Sequence, residues 1–435
     1  MKLLMFRYIW VVLFFCLTGC SKLFPPSIPP APTNVVATPG DTVATVTWDM
    51  VPGVAYFAYW APGTSLSPES CGTNPLCLAQ INVTSPYVIP NLTDGTVYSV
   101  TINGRISGGP GGTGSPSLQV TPRPAGASGL WTPGNSLGNF DLLGLTYGYI
   151  YNSAGVALGN GFVATGTSGA LLYTIDGINW TPITNPMPST TFYGLANTGG
   201  TFVAVGAGGS ILYSSTYTES WVSQSSGQAN DLYAIYGYAG GFFIAAGASG
   251  TLLTSDASGT IWTPRQSNTV NSIRSVTYGN GLYVAVGDAG TLLTSPDAGT
   301  WTPKTLSFSP NLNSVTYGYV VSAVTGVATP TFVAVGSGGA VFTSIDNGVT
   351  WVSQPTGTTT QLNAVTFGVL PVVVDSQFVA VGDNDTILTS PDGLSWVNQN
   401  FTSGSNLKAV IHGQLTTGQY SYSAVGAGGL NMQSM

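Results

Sequence analysis

Residues 272–303, SIRSVTYGNGLYVAVGDAGTLLTSPDAGTWTP, are the clearest copy of a unit that repeats through most of the chain. The unit holds four short runs typical of β-strands: SVTYG, LYVAVG, TLLTS and a segment that starts at Trp301. Its VAVG core recurs, with variations, from residues 163, 203, 244, 284, 333, 379 and 423. Four strands in roughly 40–45 residues predict the blade of a β-propeller, and seven copies predict seven blades.

The two ends of the repeat predict how the ring closes. Tryptophans of the fourth segment stand at 131, 180, 221, 262, 301, 351 and 396. The first of these, Trp131, has no core before it, and the last core, at 423–426, has no Trp after it. We therefore expect the N-terminal strand of residues 129–435 to complete the last blade, which leaves no open edge between the first and last blades.

The composition agrees with an all-β protein. Charged residues make up 6% of the 435 residues, Gly accounts for 58 of them, and Glu69 and Glu219 are the two glutamates. Val, Thr and Tyr favour strands, and 43% hydrophobic residues exclude a disordered chain. The net charge of −7 and the lack of a basic patch argue against a nucleic-acid partner.

The N-terminus carries a targeting signal. An apolar run at 8–17 follows Lys2 and Arg7 and leads into LTGC at 17–20. This resembles the lipobox of bacterial lipoproteins, which implies a signal peptide at 1–19, lipidation of Cys20 and a lipid anchor in the cell envelope. Ser21 resembles an outer-membrane sorting signal. A plain signal peptide or a signal anchor is the alternative. Loss of the leader leaves seven basic residues against 16 acidic ones.

Two further regions precede the repeats. Residues 20–33 are rich in proline and predict a stiff tether. Residues 34–124 alternate like short strands, and Trp48 with Leu92 and Tyr98 resembles the core and tyrosine corner of a fibronectin type III domain, a sandwich that implies a spacer. Cys71 and Cys77 flank Gly-Thr-Asn-Pro-Leu and predict a local disulfide; a metal pair lacks partner residues.

An Asp recurs between the third and fourth strands, as in TSIDNGVTW at 343–351. The five copies hold Asp176, Asp256, Asp297, Asp346 and Asp392. A catalytic residue is needed once, whereas a turn is needed in every blade, so we expect these carboxylates to be structural. The pattern resembles the Asp-box of sialidase-type (BNR) propellers, in which the motif is structural.

The sequence supplies little catalytic chemistry. The resemblance to sialidases implies three arginines, but the propeller contains only Arg265 and Arg274. A glycosidase needs two facing carboxylates, for which the other propeller residues are Asp141, Asp231, Asp288, Asp375, Asp383 and Asp385. Residues 383–385 could also hold Ca²⁺, but turn chemistry is the simpler interpretation. His412 falls in the column of Tyr147, Tyr236, Tyr278, Tyr317 and Phe367, which indicates packing. We predict no catalytic residue, metal or cofactor.

One position of the repeat varies from blade to blade and supplies candidates for binding. The first strand of each unit follows the pattern L-x-[AS]-V-T-Y-G. Its second position, x, varies from unit to unit while the neighbouring positions repeat, and we call this position the rim slot. The slot holds Leu143 and six partner-binding candidates: Tyr193, Tyr233, Arg274, Asn313, Asn363 and Lys408. The simpler interpretation is that the slot only contacts solvent and therefore varies; the functional hypothesis is that it binds an acidic or polar segment of a partner. The competing binding site is a set of insertions between the first and second strands, which we expect on the face opposite the rim slot. They lie at 149–161, 319–330, 369–377 and 414–420.

The repeat unit FVAVG.GG..L.S.DG..W also resembles the lipid-anchored, seven-bladed photosystem II assembly factor family, which implies a propeller that holds a protein partner. The Arg-rich patch of that family is missing here, and the fibronectin-like region is extra. The leading hypothesis is a non-enzymatic, lipid-anchored envelope protein that binds a protein. The alternative is a carbohydrate-active propeller that binds a polysaccharide or hydrolyses it with paired Asp residues.

Overall fold

The computed structural model describes residues 28–39, 43–93, 96–106, 111–120, 131–134, 137–152, 154–215, 220–321, 327–369, 376–399, 404–416 and 420–434. The leader, Cys20, Glu219 and Asp375 lie outside these ranges. The described chain is nearly all-β and divides into two compact units, before and after residue 124. No described helix is long and apolar enough to cross a membrane.

The first unit is a two-sheet sandwich. Its strands are β1 (Val36–Pro39), β2 (Ala44–Thr47), β3 (Val54–Pro62), β4 (Leu78–Val83), β5 (Tyr87–Ile89), β6 (Tyr98–Ile106) and β7 (Leu118–Val120). The sheet orders are β1-β2-β5 and β4-β3-β6-β7. Trp48, Tyr56 and Leu92 are buried between the sheets, and the Tyr98 hydroxyl accepts a hydrogen bond from the Thr93 backbone N–H over 3.1 Å.

A short helix, Pro68–Cys71, follows β3 of this sandwich. Ser67 caps it, since the Ser67 hydroxyl accepts from the Ser70 N–H and the Ser70 hydroxyl accepts from the Ser67 N–H. Cys71 at the helix end forms a disulfide with Cys77, with 5.3 Å between the two Cα atoms. The bridge closes a loop of a few residues before the edge strand β4.

The second unit consists of four-stranded antiparallel sheets, which are the blades of a seven-bladed propeller. Blade 1 consists of β9 (Leu142–Tyr151), β10 (Ala157–Gly166), β11 (Leu171–Thr174) and β12 (Thr181–Pro182). Blade 2 consists of β13 (Phe192–Thr198), β14 (Thr201–Gly206), β15 (Ser210–Ser214) and β16 (Val222–Ser225). Blade 3 consists of β17 (Leu232–Gly237), β18 (Phe243–Gly247), β19 (Leu252–Ser255) and β20 (Trp262–Pro264).

Blades 4 to 6 comprise β21 (Ile273–Gly279), β22 (Leu282–Gly287), β23 (Leu292–Ser295), β24 (Thr302–Pro303); β25 (Leu312–Val321), β26 (Ala328–Gly336), β27 (Val341–Ser344), β28 (Val352–Ser353); and β29 (Leu362–Gly368), β30 (Gln377–Gly382), β31 (Ile387–Ser390), β32 (Val397–Asn398). Blade 7 comprises β33 (Leu407–Gln414), β34 (Tyr420–Gly426), β35 (Asn431–Ser434) and the N-terminal strand β8 (Trp131–Pro133).

The expected closure of the ring is confirmed. Strand β8 pairs with β35, with Trp131 opposite Ser434 and Pro133 opposite Met432. First strands pack against first strands all the way round, including β33 against β9, so they line the centre and the fourth strands form the outer edge. Blade cores pack between neighbours: Val284 and Val286 of blade 4, for example, share a cluster with Leu312 and Phe332 of blade 5.

Tight turns join the second and third strands. In six blades the turn is a 3₁₀ segment, such as Ala207–Gly209, whose last two residues have positive φ angles. The last glycine has no room for a side chain: a Cβ on Gly209 would lie 2.2 Å from the carbonyl oxygen of Gln228 in the link to the next blade. In blade 6, Asp385 occupies this position with a φ of 57°.

Candidate functional site

A β-bulge marks the rim slot in every blade. In blade 3 the pairing of β17 with β18 moves from Leu232 opposite Gly247 to Ala234 opposite Ala246, which leaves Tyr233 without a partner. The same shift skips Leu143, Tyr193, Arg274, Asn313, Asn363 and Lys408. A bulge turns the extra side chain away from its normal direction, so the fold presents seven side chains at one end of the first strands. We call this end of the propeller, with the turns beside it, the rim.

Three slot residues of consecutive blades form a continuous surface. The Tyr193 and Tyr233 ring centroids are 5.3 Å apart in an edge-to-face arrangement. The Arg274 guanidinium carbon lies 4.7 Å above the Tyr233 ring centroid, a cation–π contact. All three side chains are half-buried. Tyr and Arg are among the residue types that most often dominate binding energies at interfaces.

The remaining polar slot residues are engaged within the ring. Asn313 Nδ2 donates to the Leu362 carbonyl of the next blade over 2.8 Å, and Asn363 Nδ2 donates to the Leu407 carbonyl over 2.7 Å. Lys408 Nζ lies 2.8 Å from Asp383 Oδ1. These contacts tie neighbouring blades together, so Asn313, Asn363 and Lys408 have a structural role that the sequence did not indicate.

Both cations of the rim are neutralised. Arg274 makes a two-pronged ion pair with Asp288, with Nε–Oδ1 at 2.9 Å and Nη2–Oδ2 at 3.0 Å. The Asp288 hydrogen bond, followed by its charge, raises the pKa of Arg274 against the effect of burial. Lys408 makes a single ion-pair contact, from Nζ to Asp383 Oδ1. The rim therefore has no free positive charge among the described slot residues with which to attract an acidic segment.

Two further carboxylates stand at this rim. Asp231 and Asp141 each precede a first strand and accept one backbone N–H from a turn of the preceding blade, from Gly208 over 2.8 Å and from Gly428 over 2.9 Å. Burial and, second, the Asp231 charge raise the pKa of Tyr193. Asp231 precedes Tyr233 by two residues, and the Tyr233 ring packs against the Tyr193 ring. In the sequence Asp231 is only one of six carboxylates considered for hydrolysis, because its contact with the turn of blade 2 depends on the packing of blades 2 and 3.

The Asp-box carboxylates close turns. Asp297 Oδ1 accepts from the N–H groups of Gly299 and Thr300 over 2.9 and 2.8 Å and from the Ser295 hydroxyl over 3.0 Å. The Thr300 N–H, then the Gly299 N–H, hold the pKa of Asp297 below its usual value. Equivalent backbone bonds are made by Asp176, Asp256, Asp346 and Asp392. This pattern gives all five the same turn-closing role.

The residues considered for Ca²⁺ or for hydrolysis are otherwise engaged. Asp383 accepts from Lys408 and Asn363, and Asp385, which is 4% exposed, accepts from the Gly404 and Ser405 backbone N–H groups. The described residues contain no group of three or more His, Cys, Asp or Glu side chains placed to hold a metal.

Two surface cavities lie beside blade 3. The larger, about 610 Å³, is lined by residues 249–250 and 265–271, none of them acidic. The smaller, about 310 Å³, has Asp297 as its one carboxylate, together with Arg265 and Phe242. Neither cavity brings two carboxylates together.

His412 packs between aromatic rings. It is stacked 5.7 Å from Tyr420 and lies 4.7 Å from Tyr422, and burial lowers its pKa to about 4. The predicted alignment of His412 with Tyr236 of blade 3 was wrong. His412 lies opposite Tyr422, as Tyr278 lies opposite Tyr283. In blade 3 the residue at this position is Gly237, which lies opposite Phe243. Tyr236 is one position earlier, since the tyrosine of this blade is displaced in the repeat.

The opposite face carries the long hairpins. Strands β9 and β10 extend together as far as Tyr151 and Ala157, and the Thr416 hydroxyl of blade 7 donates to the Asn160 carbonyl of blade 1. Tyr149 and Tyr319 are exposed there. Residues 322–326, 370–375 and 417–419 of the insertions lie outside the described ranges.

Comparison with known proteins supports the fold. No protein-family model matches the sequence. No curated protein matches it either. Among solved structures, YCF48 from Cyanidioschyzon merolae is 17% identical with a TM-score of 0.54, and the match covers 70% of this chain and 98% of that one. YCF48 bound to D1 peptide is 15% identical with a TM-score of 0.54, over 70% and 94% of the two chains. Identities this low show a shared propeller fold.

Proposed function

We propose that this chain is a non-enzymatic protein of the cell envelope whose propeller binds a segment of a protein partner at the rim. One observation carries the proposal: a bulge in every blade presents a side chain that varies, on a scaffold whose other positions repeat. Within that ring, Tyr193, Tyr233 and Arg274 form a continuous surface of the residue types favoured in binding sites. A solved propeller of similar fold is described as bound to a peptide.

The location at the envelope is part of this proposal. LTGC at 17–20 supports cleavage before Cys20 and attachment of lipid to that residue. Two or more acyl chains anchor a protein stably, whereas a single chain does not. The proline-rich residues 20–33 would then hold the two folded units away from the lipid surface. Ser21, which follows the lipidated Cys20, favours the outer membrane as that surface.

The rim is tested by comparing variants of the two faces. The mature chain is immobilised and incubated with envelope extract, and captured proteins are quantified by mass spectrometry. The double variant Tyr193→Ala/Tyr233→Ala should lose a specific protein that the wild type captures. The matched control, Tyr149→Ala/Tyr319→Ala, removes two exposed tyrosines from the hairpin face and should retain it. Loss only in the control would move the site to the hairpins.

One observation favours the carbohydrate alternative. The cavity of about 310 Å³ combines Arg265, the Asp297 carboxylate and the Phe242 ring, and ligand cavities commonly combine an apolar wall with a few polar groups. Binding of a glycan array that is lost in Arg265→Gln would support this function. The control is Lys304→Gln, because Lys304 follows β24 as Arg265 follows β20 but does not line the cavity.

A further inference from the structure

The charge balance at the rim points to the chemistry of the partner. Arg274 and Lys408 are each paired with a carboxylate, so they contribute no net charge. The other described cations of the propeller, Arg265 and Lys304, follow fourth strands at the outer edge. Asp231 and Asp141 remain, and among the described residues neither Oδ2 atom accepts a hydrogen bond. Within the described ranges the rim therefore carries more carboxylates than cations, on a chain whose net charge is −7.

The chain itself shows how a cation sits at this rim. Arg274 lies over the Tyr233 ring at 4.7 Å while the Asp288 carboxylate holds its guanidinium. One blade earlier, Tyr193 occupies the same slot as Tyr233, and the Asp231 carboxylate of blade 3 accepts the Gly208 N–H in the turn of the blade that carries Tyr193. Tyr193 and Asp231 thus bring an aromatic ring and a carboxylate of neighbouring blades to the same end of the first strands, as Tyr233 and Asp288 do. Among the described residues no cation lies over the Tyr193 ring.

We propose that the rim binds a cationic segment of its partner, with a Lys or Arg side chain that packs on Tyr193 and pairs with Asp231. This inference rests on the proposed function and specifies its partner chemistry. An aromatic ring and a carboxylate together favour a guanidinium or ammonium group, and the negative rim attracts such a segment from a distance. It reverses the expectation of an acidic partner, because that expectation counted Arg274 and Lys408 as free charges.

The test uses the full mature chain and three fluorescein-labelled peptides of alternating Gly and Ser with four Arg, four Gln or four Glu. Fluorescence anisotropy gives their affinities at 50 and 200 mM salt. The Arg peptide should bind most tightly and weaken with salt. Asp231→Asn should weaken it about tenfold, and Tyr193→Leu about fivefold, as expected for loss of a close charge partner and a cation–π contact.

Asp141→Asn is the matched control. It removes the same charge from the equivalent position of blade 1, where the slot residue is Leu143. It therefore removes only part of the long-range attraction and no ring-and-carboxylate pair, so it should change the affinity by less than about twofold. Both variants should fold, since Asn311 and Asn406 fill this position in other blades and accept the same backbone N–H, from Ala289 and Asn384.

Equal losses in Asp231→Asn and Asp141→Asn, or tighter binding of the Glu or Gln peptide, would overturn the inference. Its failure is distinct from that of the proposed function. If the Tyr193/Tyr233 double variant loses the captured protein but the Arg peptide does not bind, the rim holds a partner of other chemistry. If the Arg peptide binds through Asp231 but capture is unchanged, the cationic site stands and the proposed function fails.

Discussion

Thr132 donates a hydrogen bond from its hydroxyl to the carbonyl of Gln433 over 3.3 Å, across 301 residues of sequence. This contact lies in the pairing of β8 with β35, by which the start of the propeller completes the last blade. Trp131 in the same strand is 4% exposed and packs with Tyr422 and Met432. The strand therefore contributes both backbone pairing and a large buried ring to closure.

Deletion of residues 129–140 should open the ring. Loss of one large buried aromatic costs about 3–5 kcal/mol, which in a domain of this size lowers Tm by about 5–10 °C. Differential scanning calorimetry measures the change. A synthetic peptide of residues 129–140 added to the truncated protein should restore part of the lost Tm, and an unchanged Tm without binding of the peptide contradicts the closure.

Neighbouring glycines of one turn should differ in their tolerance of alanine. Gly208 and Gly209 both have positive φ, but a Cβ on Gly208 meets nothing within 4 Å, whereas one on Gly209 meets the Gln228 carbonyl. Gly208→Ala should cost about 1 kcal/mol from backbone conformation, and Ala289 already occupies that position in blade 4. Gly209→Ala should cost about 3 kcal/mol or more. Urea unfolding compares them, and equal losses contradict the close approach.

His412 should make stability depend on pH. Burial lowers its pKa to about 4 in the folded state from an ordinary value of 6.5, so between these values the unfolded chain binds the additional proton. Stability should therefore fall as pH drops from 6.5 towards 4, by at most about 3 kcal/mol. His412→Phe, which imitates Phe367 of blade 6, should remove this component. The measurement is the difference between the two proteins in urea midpoint at pH 4.5 and 7.5; a constant difference contradicts the prediction.

The Asp-box residues should affect stability rather than binding. Asp392→Ala removes the acceptor of the Leu394 and Ser395 N–H groups and of the Ser390 hydroxyl. We expect a loss of about 1–3 kcal/mol, since each such bond contributes about 1 kcal/mol. Asp392→Asn keeps one acceptor oxygen and should lose less. Binding to the captured partner should stay unchanged in the folded fraction; a binding defect at full stability would indicate a functional carboxylate.

Substitutions at different rim residues should affect stability and partner binding to different extents. Asn363→Ala breaks the bonds to the Leu407 carbonyl and to Asp383, so it should lower Tm by a few degrees, about 1–2 kcal/mol. Tyr193→Ala removes a half-buried ring whose aromatic contact among the described residues is an edge contact with Tyr233, so it should change Tm less and partner capture more. The opposite order, measured on the same samples, would place the binding surface on the Asn side.

Much of the fold could be predicted because each blade is specified locally. The VAVG strands and the turn residues Gly and Asp determine strands and hairpins within about 40 residues. Trp131 has no core before it and the last core has no Trp after it, which indicates the closing strand. The pairing of β8 with β35 followed from counting complete units. The displaced tyrosine of blade 3 was missed, because Tyr236 matches the repeat by residue type but not by register.

The sequence by itself determined the strand pattern, the number of blades and the position of the variable slot, since these follow from short-range periodicity. Only the tertiary structure decided what the slot residues do. The bulge that exposes Tyr233 depends on its register with β18, and the bonds of Arg274, Asn363 and Lys408 join turns and blades that packing alone brings together. Arg274 and Lys408 look like free cations in the sequence; folding places a carboxylate within 3 Å of each and leaves the rim negative.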